Sequence, residues 1–167
     1  MAVALAACTQ GSGAPTATIS AARLAGDDNP VLEAELELRW SPAMLEALER
    51  GIPLRLRFEL AGENGGSRLH AQRELQLRYL PLARRYEVRD LQTGSARSYP
   101  RRPQLLAALD RVRLPLADEW QALRAGGALS LALELDHAAL PGPLRLPALL
   151  SAQWRLASGE YAWRNAG

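Results

Sequence analysis

The sequence predicts a mainly β protein, an antiparallel immunoglobulin-like β-sandwich with two short helices. Apolar and polar residues alternate strictly in "LEAELELRW" at 32–40 and in "IPLRLRFEL" at 52–60, and such a period of two is typical of strands that bury one face. Polar turn signals, "ENGG" at 63–66 and "QTGS" at 92–95, separate further alternating segments. About eight short strands joined by polar turns are the pattern of an antiparallel sandwich.

The first half of the chain is predicted to form two strands with a short helix between them. The strand at 32–40 places its leucines on one face and its three glutamates on the other. Ser41 followed by Pro42 is a helix start signal and Gly51 is a stop signal, so a short helix is expected there. The strand at 52–60 repeats the alternation, with arginines on its polar face.

The second half of the chain adds further strands and the second helix. Strands are expected at 69–79, 85–91, 96–99 and 128–135. The segment "PQLLAALDRV" predicts a short helix that has Val112 on its apolar side. The segment "QWRLASGEYAW" predicts a closing strand or hairpin that is broken near Gly159.

The apolar faces of these elements are expected to form one hydrophobic core. Its predicted members are Leu32, Leu36, Leu38, Trp40, Leu54, Leu56, Phe58, Leu75, Leu77, Leu131, Leu133 and Trp154.

Length and composition limit the classes of protein to consider. A chain of 167 residues predicts a single domain, here 16–167, preceded by a tether and signal remnant at 1–15. The net charge of +2 is small, so nucleic acid is not an expected partner. All 20 basic residues are arginines. The absence of lysine excludes Schiff-base chemistry and a P-loop.

The only cysteine, Cys8, predicts where the protein is located in the cell. "LAAC" at 5–8 resembles the lipobox of bacterial lipoproteins, in which a cysteine after two small residues carries the lipid anchor. Two or more acyl chains hold a protein stably on a membrane. The expected location is therefore the periplasm, with export and anchoring through lipid on Cys8. The alternative is an ordinary apolar N-terminus with an incidental cysteine, since only seven uncharged residues precede Cys8 and a signal peptide begins with positive charge.

Three segments carry a resemblance to a known family. They are "EALERGIPLRLRFEL", "LQLRYLPLARRYEVRD" and "LELDHAALPGPLRLPALLSAQWRLASGEYAW". On these the chain, over 17–163, resembles the bacterial family of domain of unknown function forty-three-ninety, often labelled proline-rich signal-peptide proteins. The resemblance implies export in Gram-negative bacteria and genes beside two-component sensor kinases. It implies no catalytic residue.

A search for catalytic chemistry finds one arrangement. The two histidines, His70 and His137, are too few for a site of several His and Cys ligands, and neither a metal nor a cofactor is expected. No G-x-S-x-G elbow or glycine-rich phosphate loop is present. Asp136, His137 and Ser158 can be written as a triad, and a small envelope hydrolase using them is the alternative function.

Charge patterning has two interpretations. From Arg73 to Arg102 there are eight arginines and three acids, with tyrosines interleaved. The structural interpretation pairs the outward glutamates of 32–40 across strands with Arg55, Arg57 or other arginines. The functional interpretation is an anion-binding face. Its residues are Arg84, Arg85, Tyr86, Tyr99, Arg101 and Arg102.

These observations predict a function in binding rather than catalysis. The expected function is a non-enzymatic envelope module, either binding or accessory, held on the membrane through its lipid anchor. Its expected partner is an acidic protein or an anionic envelope component at the basic face. The family's gene neighbourhood suggests a link to two-component envelope sensing.

Overall fold

The computed structural model describes residues 13–165, which form two antiparallel sheets. The strands are Thr16–Ala25 (β1), Val31–Arg39 (β2), Leu54–Asn64 (β3), Ser67–Leu80 (β4), Arg85–Asp90 (β5), Ala96–Tyr99 (β6), Arg111–Pro115 (β7), Ala128–Leu135 (β8) and Tyr161–Arg164 (β9). One sheet has the order β1-β2-β7, and the other has the order β6-β5-β4-β3-β8-β9. The prediction of a mainly β, antiparallel protein is confirmed.

Three short α-helices connect the strands, together with three 3-10 helices. The α-helices are Pro42–Glu49 (α1), Arg102–Ala108 (α2) and Gly142–Leu150 (α3). The 3-10 helices are Asp118–Leu123, His137–Ala139 and Ala152–Trp154. No helix of the described residues is long and apolar enough to cross a membrane.

The core lies between the two sheets and follows the predicted alternation. The apolar row of β3, from Leu54 to Leu60, is buried along its whole length. Leu56 pairs with Leu75 of β4 on one side and with Leu135 of β8 on the other, so leucines of three strands form one layer. Ten of the twelve predicted core residues are buried, whereas Leu38 and Trp40 are only partly buried against the core.

Local signals placed α1 and the hairpin turns correctly. The Ser41 hydroxyl oxygen accepts a hydrogen bond from the backbone N–H of Met44 at 3.2 Å, as an N-cap does. Gly51 follows the helix with φ of +81°, a left-handed conformation that favours glycine. The turn signals at 63–66 and 92–95 join β3 to β4 and β5 to β6 as predicted.

The number and ends of the helices were partly wrong. Two short helices were expected, but there are three α-helices among the described residues, because α3 forms despite Pro143 and Pro147. The predicted helix over 103–112 ends at Ala108, and Val112 belongs to β7 instead. Leu109 and Asp110 turn the chain between the two elements, so the apolar pattern of a helix runs directly into that of a strand.

Two strands of the three-stranded sheet were not predicted. β1 is rich in alanine, threonine and serine, which separate the two faces of a strand poorly. β7 has only five residues. The closing segment was predicted correctly, since it rejoins β8 at Ala157 and again as β9.

Candidate functional site

Strand pairing places the four predicted arginines at one end of the six-stranded sheet. Tyr86 near the start of β5 pairs with Tyr99 at the end of β6. Arg84 and Arg85 precede Tyr86 in the chain, while Arg101 and Arg102 follow Tyr99. Because antiparallel partners meet start to end, all of these residues lie at the same corner of the sheet. We call them the basic corner.

A row of tyrosines forms the inner side of the basic corner. Tyr79 of β4 pairs with Tyr86, and their ring centroids are 4.8 Å apart. Tyr99 extends this row across β6, so three tyrosines lie side by side on three strands. Burial raises the pKa of Tyr86, the Glu49 carboxylate raises it further, and Arg102 acts in the opposite sense. Tyr86 therefore keeps its proton and can donate a hydrogen bond.

The arginines of the basic corner differ in their contacts. Arg102 forms an ion pair with Glu49 at the end of α1. Arg85 donates a hydrogen bond to the backbone carbonyl of Ser98 at 3.3 Å. Within residues 13–165, the guanidinium groups of Arg84 and Arg101 form neither ion pairs nor hydrogen bonds. The corner therefore combines two anchored guanidinium groups with two uncommitted ones.

Among the described residues, arginines that form no ion pair are concentrated around β5 and β6. Within the described part of the chain, twelve of the twenty arginines form ion pairs with carboxylates. Four of the other eight, namely Arg84, Arg85, Arg97 and Arg101, lie on or beside these two strands. Sequence reasoning left out Tyr79, which pairs with Tyr86, and Arg97, which pairs with Val88 two positions along β5 from Tyr86.

The glutamates of β2 pair within their own sheet. Glu33 forms ion pairs with Arg23 of β1 at 2.5 Å and with Arg113 of β7 at 3.1 Å. Glu35 pairs with Arg111 of β7 at 3.3 Å. Ion pairs between neighbouring strands were expected, and on this sheet they involve arginines other than Arg55 and Arg57.

Arg55 and Arg57 belong to a separate ion-pair network on the outer face of the six-stranded sheet. Arg57 lies 2.9 Å from Asp136 and 3.2 Å from Glu134. Arg55 lies 3.3 Å from Glu74. Burial alone would lower the pKa of Arg57, but the charges of Asp136, Glu134 and Glu74 outweigh burial and raise it. This network is structural, because its charges are already paired.

A further ion pair, between Arg73 and Asp90, faces the space between the sheets. Their charged groups are 2.6 Å apart, and both side chains are largely buried. Burial alone would raise the pKa of Asp90. Hydrogen bonds from the backbone N–H groups of Thr93 and Gln92 and from the Arg73 guanidinium outweigh it and lower that pKa.

The three residues of the alternative triad are held apart by other contacts. The Asp136 carboxylate accepts hydrogen bonds from Arg57 and from the backbone N–H of Ala138. The Nε2 atom of His137 lies 2.8 Å from the carbonyl oxygen of Trp154. The Ser158 hydroxyl oxygen accepts a hydrogen bond from the backbone N–H of Leu133 at 2.9 Å. Among the described residues, no hydrogen bond links these three side chains to one another.

The described residues contain no group of three or more His, Cys, Asp or Glu side chains that could hold a metal ion. The proposed lipidation site, Cys8, lies outside the described residues.

Comparison with known proteins identifies the family of this chain. A family model, Domain of unknown function (DUF4390), matches residues 14–164. No curated protein and no solved structure gives a match. Because the matched region covers most of the 167 residues, the chain belongs to the DUF4390 family.

Proposed function

We propose that this protein is a non-enzymatic binding or accessory module of the bacterial envelope, and that it binds an anionic component at the basic corner. One observation carries the proposal. Arg84 and Arg101 have no acidic partner within residues 13–165, yet they stand at the same corner as Arg85 and Arg102. A surface selected only for solubility would not require this concentration of uncommitted guanidinium groups.

The chemistry of the basic corner suits phosphate or carboxylate. A guanidinium group offers several N–H donors in one plane and binds either anion through two parallel hydrogen bonds. Tyr86 adds a hydroxyl that stays protonated. Binding of this kind weakens as salt screens the charges, with a Debye length of about 8–10 Å at physiological ionic strength.

The proposed location at the membrane favours a phosphate-bearing lipid head group as the first ligand to test. We propose that Cys8 carries a lipid anchor and that the domain resides in the periplasm. The seven residues at 9–15 would then tether the domain, and seven extended residues reach at most about 25 Å. The basic corner would thus stay close to the head groups. An acidic protein partner of an envelope-sensing pathway is the other candidate.

We also propose that the two sheets are an immunoglobulin-like sandwich, and the strand order supports this. In the variable-type fold one sheet contains strands A, B, E and D, and the other contains G, F, C, C′ and C″. Here β1-β2-β7 corresponds to A-B-E, and β9-β8-β3-β4-β5 corresponds to G-F-C-C′-C″. β6 follows β5 in the chain, as D follows C″, but it extends the larger sheet.

Vesicle flotation tests the proposed function. The full chain with Cys8→Ser, which carries no anchor, should bind vesicles that contain phosphatidylglycerol and should not bind pure phosphatidylcholine vesicles. Arg84→Glu with Arg85→Glu should weaken binding at least about tenfold, since charge-assisted hydrogen bonds contribute roughly 1.5–3 kcal/mol each.

The matched control reverses two other arginines, Arg39 and Arg164, which form no ion pairs within residues 13–165. Arg39 lies on the other sheet, and Arg164 lies on β9 at the opposite edge from the basic corner. This variant has the same net charge as Arg84→Glu with Arg85→Glu and should lose much less binding. Equal losses in the two variants would refute a localised site. No observation favours the alternative hydrolase of Asp136, His137 and Ser158.

A further inference from the structure

The β7 edge of the three-stranded sheet has no strand beside it in the part of the chain that the structure describes. β7 is the last strand of that sheet, and among the described residues its strand partner is β2 alone. The Leu36 N–H donates a hydrogen bond to the Asp110 carbonyl, so these two residues are a hydrogen-bonded pair of the antiparallel ladder. Such pairs recur at every second residue, and the next two along β7 are Val112 opposite Ala34 and Leu114 opposite Leu32. Residues of this register direct their backbone groups toward β2.

The alternate residues of β7 therefore direct their backbone groups to the vacant side. Arg111 and Arg113 each present one N–H and one carbonyl there, and Pro115 presents a carbonyl only. The vacant side thus offers a short ladder of donors and acceptors for one added strand.

A cleft of 420 Å³ lies along this edge. The larger sheet continues past β7 through β5 and β6, so the inner face of these two strands forms the floor of the cleft. Val88 and Tyr99, which are only partly buried, supply apolar surface there, above the buried Leu75 and Leu109. Because the strand order places β6 on the larger sheet, no strand of residues 13–165 fills the position beside β7 where a fourth strand would lie.

The charges around the cleft are mainly positive. Arg111 and Arg113 line one side, and Arg97 of β6, which forms no ion pair in the described region, lines the other. The one acid of the lining, Asp90, is already paired with Arg73. An occupant with acidic side chains is therefore favoured over a basic one.

The existing partner of β7 shows which side-chain pattern this strand accepts. β2 alternates apolar residues with glutamates, and Glu33 and Glu35 stand opposite Arg113 and Arg111. The side chains of Arg111 and Arg113 are 83% and 69% exposed. Exposed ion pairs are weak, so these guanidinium groups remain available to carboxylates on a second strand.

A second copy of this chain does not suit the position. Two β7 strands paired antiparallel would set arginine against arginine or against proline, and like charges directly opposite are destabilising.

We propose that β7 accepts an extended segment of an acidic partner protein as an added strand. The segment alternates apolar and acidic residues, with its apolar side against Val88 and Tyr99 and its carboxylates beside Arg111 and Arg113. Backbone hydrogen bonds provide affinity in this mode of recognition, and the alternate side chains provide specificity. The site is separate from the basic corner except for Tyr99, which lines both.

The test uses an eight-residue peptide of alternating valine and glutamate, titrated into the full chain by calorimetry. The expected result is saturable binding, with slower hydrogen exchange at the Arg111 and Arg113 amides. A peptide of alternating valine and lysine should not bind. Methylating the peptide nitrogens that face β7 should weaken binding at least tenfold, and this comparison requires no change in the protein.

Protein variants then locate the site. Arg113→Pro removes a backbone N–H that points away from β2 and does not bond to it. The variant should therefore fail to bind the peptide, while a cooperative thermal unfolding transition shows that it is still folded. Arg84→Glu with Arg85→Glu should leave peptide binding unchanged, which separates this site from the basic corner. Absent binding, equal binding of the methylated peptide, or unchanged amide exchange would overturn the proposal. The proposal would also be overturned if the wild-type chain formed a dimer that Arg113→Pro abolishes, because the occupant would then be a second copy of the chain.

Discussion

Gly62 of β3 lies where a methyl group has no room. A Cβ at this position would stand 3.0 Å from the Trp120 Cζ3 atom and 3.1 Å from the Leu129 Cδ2 atom, and it would overlap the Leu123 Cδ1 atom. Carbon atoms in contact prefer about 3.5–4.0 Å. Trp120 and Leu123 are buried on the 3-10 helix that covers β3, so neither can turn freely into solvent. Gly62→Ala should therefore destabilise the fold.

Two opposing effects set the size of this change. Added volume in a packed core costs about 1–3 kcal/mol. An alanine also restricts the unfolded chain and returns about 0.4–1 kcal/mol where the backbone accepts it, as it does here because φ of Gly62 is not positive. The net expected loss in the free energy of unfolding is about 1–2 kcal/mol.

Urea denaturation followed by tryptophan fluorescence measures the effect, since Trp120 lies at the site. Gly159→Ala is the matched control, because no atom lies within 4 Å of its added Cβ and its φ is not positive. The control should be neutral or slightly more stable than the wild type. If Gly62→Ala were as stable as its control, the 3-10 helix would not pack on β3 as described.

Three further predictions concern the core, the ion pairs and the proposed anchor. Leu56→Ala should lower the free energy of unfolding by about 2–5 kcal/mol, because the side chain is fully buried. Arg57→Ala should lower it by only about 1–3 kcal/mol, because Asp136 keeps the more distant Arg55, at 3.9 Å, as an ion-pair partner; urea titration of both variants checks the order. Asp90 has a lowered pKa in the fold. The ionised carboxylate therefore stabilises the fold fully above the unfolded-state pKa of about 3.9, and this stabilisation is lost as the pH falls through the folded-state pKa. The difference in the free energy of unfolding between wild type and Asp90→Asn should narrow below about pH 4, and a difference that widens there would contradict the assigned hydrogen bonds. Metabolic labelling with a fatty-acid analogue should tag the exported precursor's product, and Cys8→Ser should abolish the label and release the protein from the membrane.

Strands with strong chemical contrast between their faces could be predicted from the sequence. In β3 and β8, leucines alternate with charged or small residues, so the pattern alone defines the inner face. β1 lacked such contrast, because alanine occupies both of its faces and a bulge between Ile19 and Ala21 shifts the alternation. Pro143 and Pro147 concealed α3. Pro143 lies in the first turn, where a proline costs no hydrogen bond, whereas Pro147 lies inside the helix.

The position of the basic corner was predictable, but its contacts were not. The arginines are near neighbours in the chain, and the turn at 92–95 implies that their strands pair. The ion pair between Arg102 and Glu49 joins residues 53 positions apart, and it depends on the packing of α1 against β4, which no local sequence signal predicts. The vacant position beside β7 depends on which sheet β6 joins, and the alternation of apolar residues is the same for either sheet.

The central claim, that the basic corner binds an anionic head group, is tested most directly by the side-chain signals of the arginines. The Nε–H resonances of the ¹⁵N-labelled chain with Cys8→Ser should be recorded during titration with bicelles that contain phosphatidylglycerol. The signals of four residues should shift together, and salt should reverse the shifts; these residues are Arg84, Arg85, Arg101 and Arg102. Phosphatidylcholine bicelles should leave these signals in place. Shifts spread evenly over all the arginines, or no shift at Arg84 and Arg101, would contradict this claim.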